Sequence, residues 1–212
     1  MKKEYSKIYP KKILVAQDGV NLLEFKNLRE KKINSKKLKI VYTGSFFIWK
    51  GTDFLIKCAK IDHHNDYILV GGSQDEIKRL KKSFDLSKIN NLKLLPKTNR
   101  IGLKKYIKMA DILVLPNLNI EKNKWTSPIK LFEYMASKRL IMASDISAFD
   151  GVLNQNNCIL YKPNSPDDFI NKLRNINELN EGEKIKAAYR EVRKFTWGNR
   201  AKLIKDYIFS DS

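Results

Sequence analysis

The residues best suited to chemistry lie in one stretch of the chain, Trp125–Asp145. Ser127 is a good N-cap residue, and Pro128 suits the first helical position because its missing N–H would be unpaired there in any case. The free N–H groups and the positive dipole end of such a helix form a natural phosphate site. Lys130 lies close enough to add a full positive charge. This stretch therefore predicts an anion-binding helix start.

Glu133 is the one carboxylate on the same predicted helix. It would lie about 9 Å along the axis from the helix start. Helical side chains lean back toward the N-terminus, so its carboxylate can approach the same ligand. A diphosphate at the helix end and a ribose diol on Glu133 would together span a nucleoside diphosphate. On spacing alone, an ordinary amphipathic helix with a solvated glutamate remains an equal alternative.

Short apolar runs that alternate with amphipathic helices must position these residues. The runs are rich in Ile, Leu and Val, as in strands buried on both faces, and their alternation with helices predicts an α/β fold with a Rossmann-like, doubly wound parallel sheet. Ligands of such sheets bind beyond the C-terminal ends of the strands, where Gly44, Gly71, Pro116 and Asp145 fall. The predicted strands are 38–43, 67–71, 91–95, 111–115, 139–143 and 157–161, and the predicted helices are 51–61, 74–84, 101–109 and 127–137, with closing helices in 165–178 and 182–209.

Four motifs, in this order and at this spacing, resemble the retaining glycosyltransferases of the family 4 type, which have two Rossmann-like domains in the GT-B arrangement. The resemblance covers roughly residues 12 to 209. The motifs are IVYTGSFFIWKGTDFLI from Ile40, YILVGGS from Tyr67, ADILVLP from Ala110, and SPIKLFEYMA from Ser127 with its following strand and Ser144-Asp145.

The resemblance implies the organisation and the activity of the chain. In the family, the second domain binds the nucleotide-sugar donor and the first binds the acceptor. Ile8–Phe25 resembles the stretch that leads out of the first domain, so we expect 1–36 to be a remnant of the interdomain linker, 37–180 a nucleotide-sugar-binding domain, and 181–212 closing helices. The implied function is transfer of a sugar, of hexosyltransferase type, from a nucleoside-diphosphate sugar to a glycan or lipid-linked acceptor with retention. It would need an acceptor domain or subunit that this chain lacks.

The resemblance also assigns roles around the first strand. Gly44 would let the backbone approach the diphosphate, with a plain tight turn as the alternative. The family often has an Arg just after this glycine, whereas this chain has Ser45, so one phosphate charge is missing. Lys50 matches the diphosphate-binding lysine, with a solvated surface lysine as the alternative. Pro96–Arg100 corresponds to the loop where the base would lie.

A second set of roles falls on the helix. Ser127–Pro128 matches the loop that carries the phosphates, and Glu133 matches the second, ribose-binding glutamate of a paired-glutamate motif. The first glutamate of that pair would fall at Trp125, which puts the donor-sugar contact in doubt more than the nucleotide site. Glu121 lies nearby, but its register is wrong. Lys50 and Lys130, the expected catalytic residues, would stabilise the leaving diphosphate together with the helix start.

No cofactor is expected beyond the nucleoside-diphosphate sugar substrate. The sequence has no Asp-x-Asp motif and no His/carboxylate cluster suited to Mg²⁺ or Mn²⁺, so we predict a metal-independent reaction. His63 and His64 are adjacent in a polar turn, without spaced Cys or carboxylate partners, and we expect both at the surface.

Composition predicts a cytoplasmic protein. Apolar residues make up 42% of the chain, and no run approaches the ~18 apolar residues of a membrane helix. The N-terminus lacks the apolar region of a signal peptide. Cys58 and Cys158, far apart in sequence, suggest buried thiols in a reducing compartment.

The net charge of +19 favours anionic partners. The lysines are spread through every predicted helix and loop, and no helix-turn-helix or zinc-finger spacing is present, so nucleic acid is disfavoured. Peripheral contact with an anionic membrane at the inner membrane face stays open, as does a basic composition with no specific partner.

Three interpretations remain open at this point. The first is a catalytic donor-binding half of a glycosyltransferase. The second is a non-catalytic nucleotide-sugar-binding module or degenerate remnant, which Ser45 and Trp125 would favour. The third is a basic protein that binds a membrane or nucleic-acid surface on a reused fold.

Overall fold

Six strands form one parallel sheet with the order β3-β2-β1-β4-β5-β6. The computed structural model describes residues 13–34, 36–124 and 126–210. The central strands contain almost no polar residues because helices cover both faces of the sheet. The strands are β1 Lys39–Thr43, β2 Asp66–Gly72, β3 Leu92–Pro96, β4 Ile112–Leu115, β5 Leu140–Ser144 and β6 Ile159–Tyr161.

Two apolar clusters lie on the two faces of this sheet. Side chains alternate along each strand, so Ile40 and Tyr42 join one cluster and Val41 joins the other. Helices α1, α2 and α5 cover the first cluster, and α3, α4 and much of α6 cover the second. The helices are α1 Thr52–Ile61, α2 Gln74–Ser83, α3 Arg100–Met109, α4 Ile129–Ala136, α5 Pro166–Arg174, α6 Glu181–Val192 and α7 Trp197–Phe209.

The predicted fold class is confirmed, and each predicted strand differs from the observed one by at most two residues at either end. The chain builds one side of the sheet from β1 to β3, returns to β4 beside β1, and then builds the other side. Such a change of direction leaves a crevice beyond the C-terminal ends of the two central strands. Gly44 follows β1 and Pro116 follows β4, so both lie at this crevice.

The segment before β1 packs against the sheet domain. Val20 forms a bridge with Thr196, and Phe25 is buried. Lys31 Nζ forms an ion pair of 2.8 Å with the buried carboxylate of Asp111. Residues 1–12 and Ser35 of the predicted linker 1–36, and the last two residues of the predicted segment 181–212, lie outside the described residues.

Helix α7 differs from the other helices because none of its residues is buried. Thr196 caps its start by accepting a hydrogen bond from Asn199 N. Among the described residues, no helix combines the length and the apolar content needed to cross a bilayer.

Candidate functional site

A cleft of about 350 Å³ opens beyond the C-terminal ends of β1 and β2. One wall is the turn after β1, another is the loop after β3, and the third is the first turn of α4. Four predicted site residues line it, namely Gly44, Ser45, Lys130 and Glu133. Of the four residues that the sequence places at the strand ends, Gly44 and Gly71 line the cleft, whereas Pro116 and Asp145 do not.

The turn after β1 requires glycine. Gly44 has φ +135°, a backbone conformation that L side chains rarely adopt, and its N–H donates to Val70 O at 2.8 Å. A Cβ atom added there would lie 3.1 Å from the Tyr42 hydroxyl and 3.4 Å from Lys130 Nζ. The neighbouring Gly71 has φ +121°, and a Cβ there would lie 2.7 Å from Gly44 O. Gly44 thus keeps the space beside Lys130 Nζ open, and Gly71 lets the two strand ends approach closely.

The start of α4 corrects one prediction. The helix begins at Ile129, so Pro128 rather than Ser127 is the N-cap residue, and no side chain caps the helix. Ser127 Oγ instead donates to Gln17 Oε1 at 3.0 Å and accepts from Asp18 N at 3.2 Å. Because its hydroxyl holds the segment before β1, it is not free for the helix N–H groups. Neither Ser127 nor Pro128 lines the cleft.

Lys130 is a half-buried cation at the base of the cleft. Its Nζ lies 4.0 Å from the centre of the Tyr42 ring and 3.4 Å from Thr43 O. No carboxylate of the described residues forms an ion pair with it. Burial lowers the pKa of Lys130 well below its usual value, and the charge of Lys50 lowers this pKa further. An anion bound in the cleft would relieve both penalties.

Lys50 is not part of the cleft lining, although its charge acts on Lys130. It ends the short 3-10 turn Ile48–Lys50 and is half-buried, and burial together with the charge of Lys122 lowers its pKa. The next residue, Gly51, has φ +80°, and a Cβ there would lie 1.7 Å from Pro116 O. The turn that carries Lys50 is therefore pressed directly against the end of β4. The structure brings Lys50 close enough for its charge to act on Lys130.

Glu133 is buried, so the interpretation of a solvated glutamate on an ordinary helix is wrong. Its Oε1 accepts a hydrogen bond from Arg100 Nη1, at the first position of α3. Arg100 also donates from Nε to Glu24 Oε2 at 3.0 Å, and Lys104 Nζ lies 2.8 Å from the same oxygen. Sequence reasoning missed this role of Arg100. The sequence feature that could have indicated this role is a basic residue in the first turn of a predicted helix, where the helix dipole favours acidic residues.

The loop after β3 completes the site. Lys97 and Thr98, within the predicted base-binding loop, line the cleft. Asn99 caps α3 by accepting from Gly102 N at 2.9 Å, which fixes the loop at its end. Glu121 is exposed and pairs with Lys124 at 2.8 Å, outside the cleft, and Trp125 lies outside the described residues. Over the described ranges, no group of three or more His, Cys, Asp or Glu side chains is arranged to hold a metal ion.

Comparison with solved structures places the fold among glycosyltransferases. The chain is similar to sucrose-phosphate synthase from Thermosynechococcus elongatus, with a TM-score of 0.76 and 16% identity over 100% of this chain and 57% of that one. It is similar to HepE from Anabaena in complex with UDP and glucose, with a TM-score of 0.66 and 17% identity over 82% of this chain and 49% of that one.

A third similar structure is a C-terminal domain, that of the glycosyl transferase group 1 family protein LpcC from Francisella tularensis. Its TM-score is 0.60 at 18% identity, over 86% of this chain and 97% of that one. The chain thus spans 57% and 49% of the first two proteins but nearly all of this domain. No curated protein matches the sequence. The model of the family described as glycosyl transferases group 1 matches residues 24–194, and the chain belongs to that family.

Proposed function

We propose that this chain is the donor-binding domain of a glycosyltransferase that takes its sugar from a nucleoside diphosphate. The observation that carries the proposal is Lys130, a half-buried cation at the base of a cleft that has no carboxylate partner among the described residues. One helical turn further, the buried carboxylate of Glu133 faces the same cleft. Residues three apart in a helix lie on one face, so a diphosphate on Lys130 and a ribose diol on Glu133 fit a single ligand.

The proposed chemistry is departure of the diphosphate with retention at the sugar. Negative charge develops on the leaving diphosphate, and Lys130, together with the nearby charge of Lys50, would stabilise it in a site partly shielded from water. We propose that these cations take the place of a metal ion. Glu133 would orient the nucleotide, and Lys97 and Thr98 would contact the base. The complex of HepE with UDP and glucose supports a uridine nucleotide as the first ligand to test.

The acceptor is proposed to bind a second domain or subunit. In this proposal, the isolated chain binds donor but transfers sugar poorly, because acceptor contacts and a further polar catalytic group come from elsewhere. Two buried, free thiols, Cys58 and Cys158, support a protein that works in the reducing cytoplasm. A glycan or lipid-linked acceptor is proposed from the resemblance to the family, and contact with an anionic membrane is proposed from the net charge of +19.

Calorimetric titration tests the donor site. UDP, GDP and their sugar conjugates are titrated into the wild type, Lys130→Gln, Glu133→Gln and the control Glu121→Gln, whose carboxylate is exposed outside the cleft. We expect one nucleotide to bind, with at least tenfold weaker binding in the first two variants, about the loss of one charged hydrogen bond. Equal binding by all four proteins, or none by the wild type, would contradict the proposal. Repeating the titration with EDTA tests whether a metal takes part.

A non-catalytic nucleotide-sugar-binding module is the second candidate. Ser45 and Trp125 stand where the resembled family often has an arginine and a glutamate, so one phosphate contact and one sugar contact are missing. Slow hydrolysis of the bound sugar nucleotide separates the two candidates. Hydrolysis that disappears in Lys130→Gln would favour the enzyme, and tight binding without any hydrolysis would favour the module.

A further inference from the structure

Arg100 lies between two carboxylates that are far apart in the sequence, Glu24 and Glu133. Its Nη1 donates to Glu133 Oε1 in α4, and its Nε donates to Glu24 Oε2 at 3.0 Å in the segment before β1. Lys104, one turn further along α3, contacts the same Glu24 oxygen at 2.8 Å. The result is a chain of charges, Lys104–Glu24–Arg100–Glu133, that ends in the cleft.

This chain of charges stabilises the buried carboxylate of Glu133. The side chain of Glu133 is only 6% exposed, and a buried carboxylate is costly unless it is paired. Arg100 takes Oε1, whereas Oε2 has no hydrogen-bond partner among the described residues. A carboxylate held at one oxygen cannot rotate freely, so its other oxygen is presented in a fixed direction.

Glu24 acts on the other side of the guanidinium. The side chain of Arg100 is 48% exposed, and an exposed arginine loses rotamer freedom whenever it is held in one geometry. Because Glu24 accepts from Nε while Nη1 reaches Glu133, the plane of the guanidinium is fixed from two directions. Phe25, the next residue, is buried and anchors Glu24 in the domain.

We propose that Arg100 is the positioning residue for Glu133, and that Glu24 in turn positions Arg100, so that Glu133 Oε2 recognises the ribose diol of a nucleoside diphosphate. The proposal rests on the proposed function and deepens it. Its consequence is that discrimination between a ribonucleotide and its 2′-deoxy counterpart depends on two residues that do not touch the ligand.

Three probes separate positioning from general support of the fold. UDP, 2′-deoxy-UDP and inorganic pyrophosphate are titrated into the wild type, Arg100→Ala, Arg100→Lys and Glu24→Gln, with GDP and 2′-deoxy-GDP if the wild type prefers that base. Lys105→Ala, an exposed charge on the same helix, is the matched control for lost positive charge. We expect the wild type to prefer UDP over 2′-deoxy-UDP by about tenfold, the size of one charge-assisted hydrogen bond.

The ratio of the affinity for UDP to the affinity for 2′-deoxy-UDP should fall close to one in Arg100→Ala. It should partly recover in Arg100→Lys and take an intermediate value in Glu24→Gln. Pyrophosphate should bind Arg100→Ala as it binds Lys105→Ala, which also shows that the variant is folded. In a Glu133→Gln background, the additional Arg100→Ala change should have no further effect on the preference, because coupled residues are not additive.

Two results would overturn the inference while leaving the proposed function intact. One is a preference for UDP that Arg100→Ala retains in full. The other is tighter UDP binding by Arg100→Ala, which would mean that Arg100 blocks the ribose position. A wild type that binds neither UDP, GDP nor pyrophosphate would instead overturn the proposed function, and the inference with it.

Discussion

The hydroxyl of Tyr134 accepts a hydrogen bond from the backbone N–H of Thr43 at 2.8 Å and lies 2.9 Å from Thr43 Oγ1. Both residues are buried. Tyr134 follows Glu133 in α4, and Thr43 precedes Gly44 at the end of β1. This contact joins the helix that carries Lys130 and Glu133 to the strand end that forms the opposite wall of the cleft.

Replacing Tyr134 by Phe keeps the ring but leaves the Thr43 N–H buried without a partner. We expect the free energy of unfolding to fall by about 1–3 kcal/mol, the usual cost of one unsatisfied buried group. Denaturant unfolding followed by circular dichroism measures this change. Tyr189→Phe, on a half-buried tyrosine that packs against Lys138, is the control and should stay within about 0.5 kcal/mol of the wild type. Equal stability of the two variants would show that the Tyr134 hydroxyl does not join helix and strand.

Gly51 and Gly151 form a matched pair for testing the turn that carries Lys50. Their φ angles are +80° and +78°, but a Cβ at Gly51 would lie 1.7 Å from Pro116 O, whereas a Cβ at Gly151 would meet nothing within 4 Å. Gly151→Ala should cost only the backbone strain, about 1–2 kcal/mol. Gly51→Ala should cost about 3 kcal/mol or more, because the clash adds to that strain. Similar losses measured by thermal unfolding would contradict the contact between the turn and β4.

The fold can be predicted from the sequence because the patterns that indicate its strands and helices are local. The strand Ile112–Leu115 is four apolar residues, all buried, and its length between polar turns distinguishes it from a helix. The same holds for Gly44, whose position just after a predicted strand places it at the ligand-binding edge of the sheet. Sequence patterns with a period of two or 3.6 residues carry this information directly.

The parts of the site that depend on contacts between residues far apart in the sequence cannot be predicted in this way. The sequence places Arg100 only in the base-binding loop, since nothing in a single sequence links it to Glu24, 76 residues earlier, or to Glu133, 33 residues later. Local preference predicts that Ser127 caps α4, but its hydroxyl donates instead to Gln17, 110 residues away in the sequence. Local propensity competes with tertiary hydrogen bonds, and at these two positions the tertiary partners prevail.

We expect the buried charge of Lys130 to lower the free energy of unfolding of the ligand-free protein. Its lowered pKa, caused first by burial and then by Lys50, means that the charged form is disfavoured in the folded state. Lys130→Met keeps most of the side-chain volume and removes the charge. We expect the free energy of unfolding at pH 7 to rise by about 1 kcal/mol, while nucleotide binding is lost. Lys105→Met, at an exposed position of α3, is the control and should change neither property. A destabilised Lys130→Met would mean that the charge is already compensated in the free protein.

The difference in free energy of unfolding between the wild type and Lys130→Met should depend on pH because the pKa of Lys130 is lowered. Between the folded pKa of Lys130 and its unfolded value near 10.5, the unfolded chain holds a proton that the folded chain has released, so this group makes stability rise with pH across that window. The gain in free energy of unfolding from Lys130→Met should therefore shrink as pH rises toward 10.

The affinity for a diphosphate should fall as pH rises, because deprotonated Lys130 no longer attracts an anion. At the alkaline end, binding should therefore take up protons. Calorimetry of UDP or pyrophosphate binding in two buffers of different ionisation enthalpy measures that uptake. Affinity that stays constant from pH 7 to 10 would show that Lys130 does not hold the diphosphate.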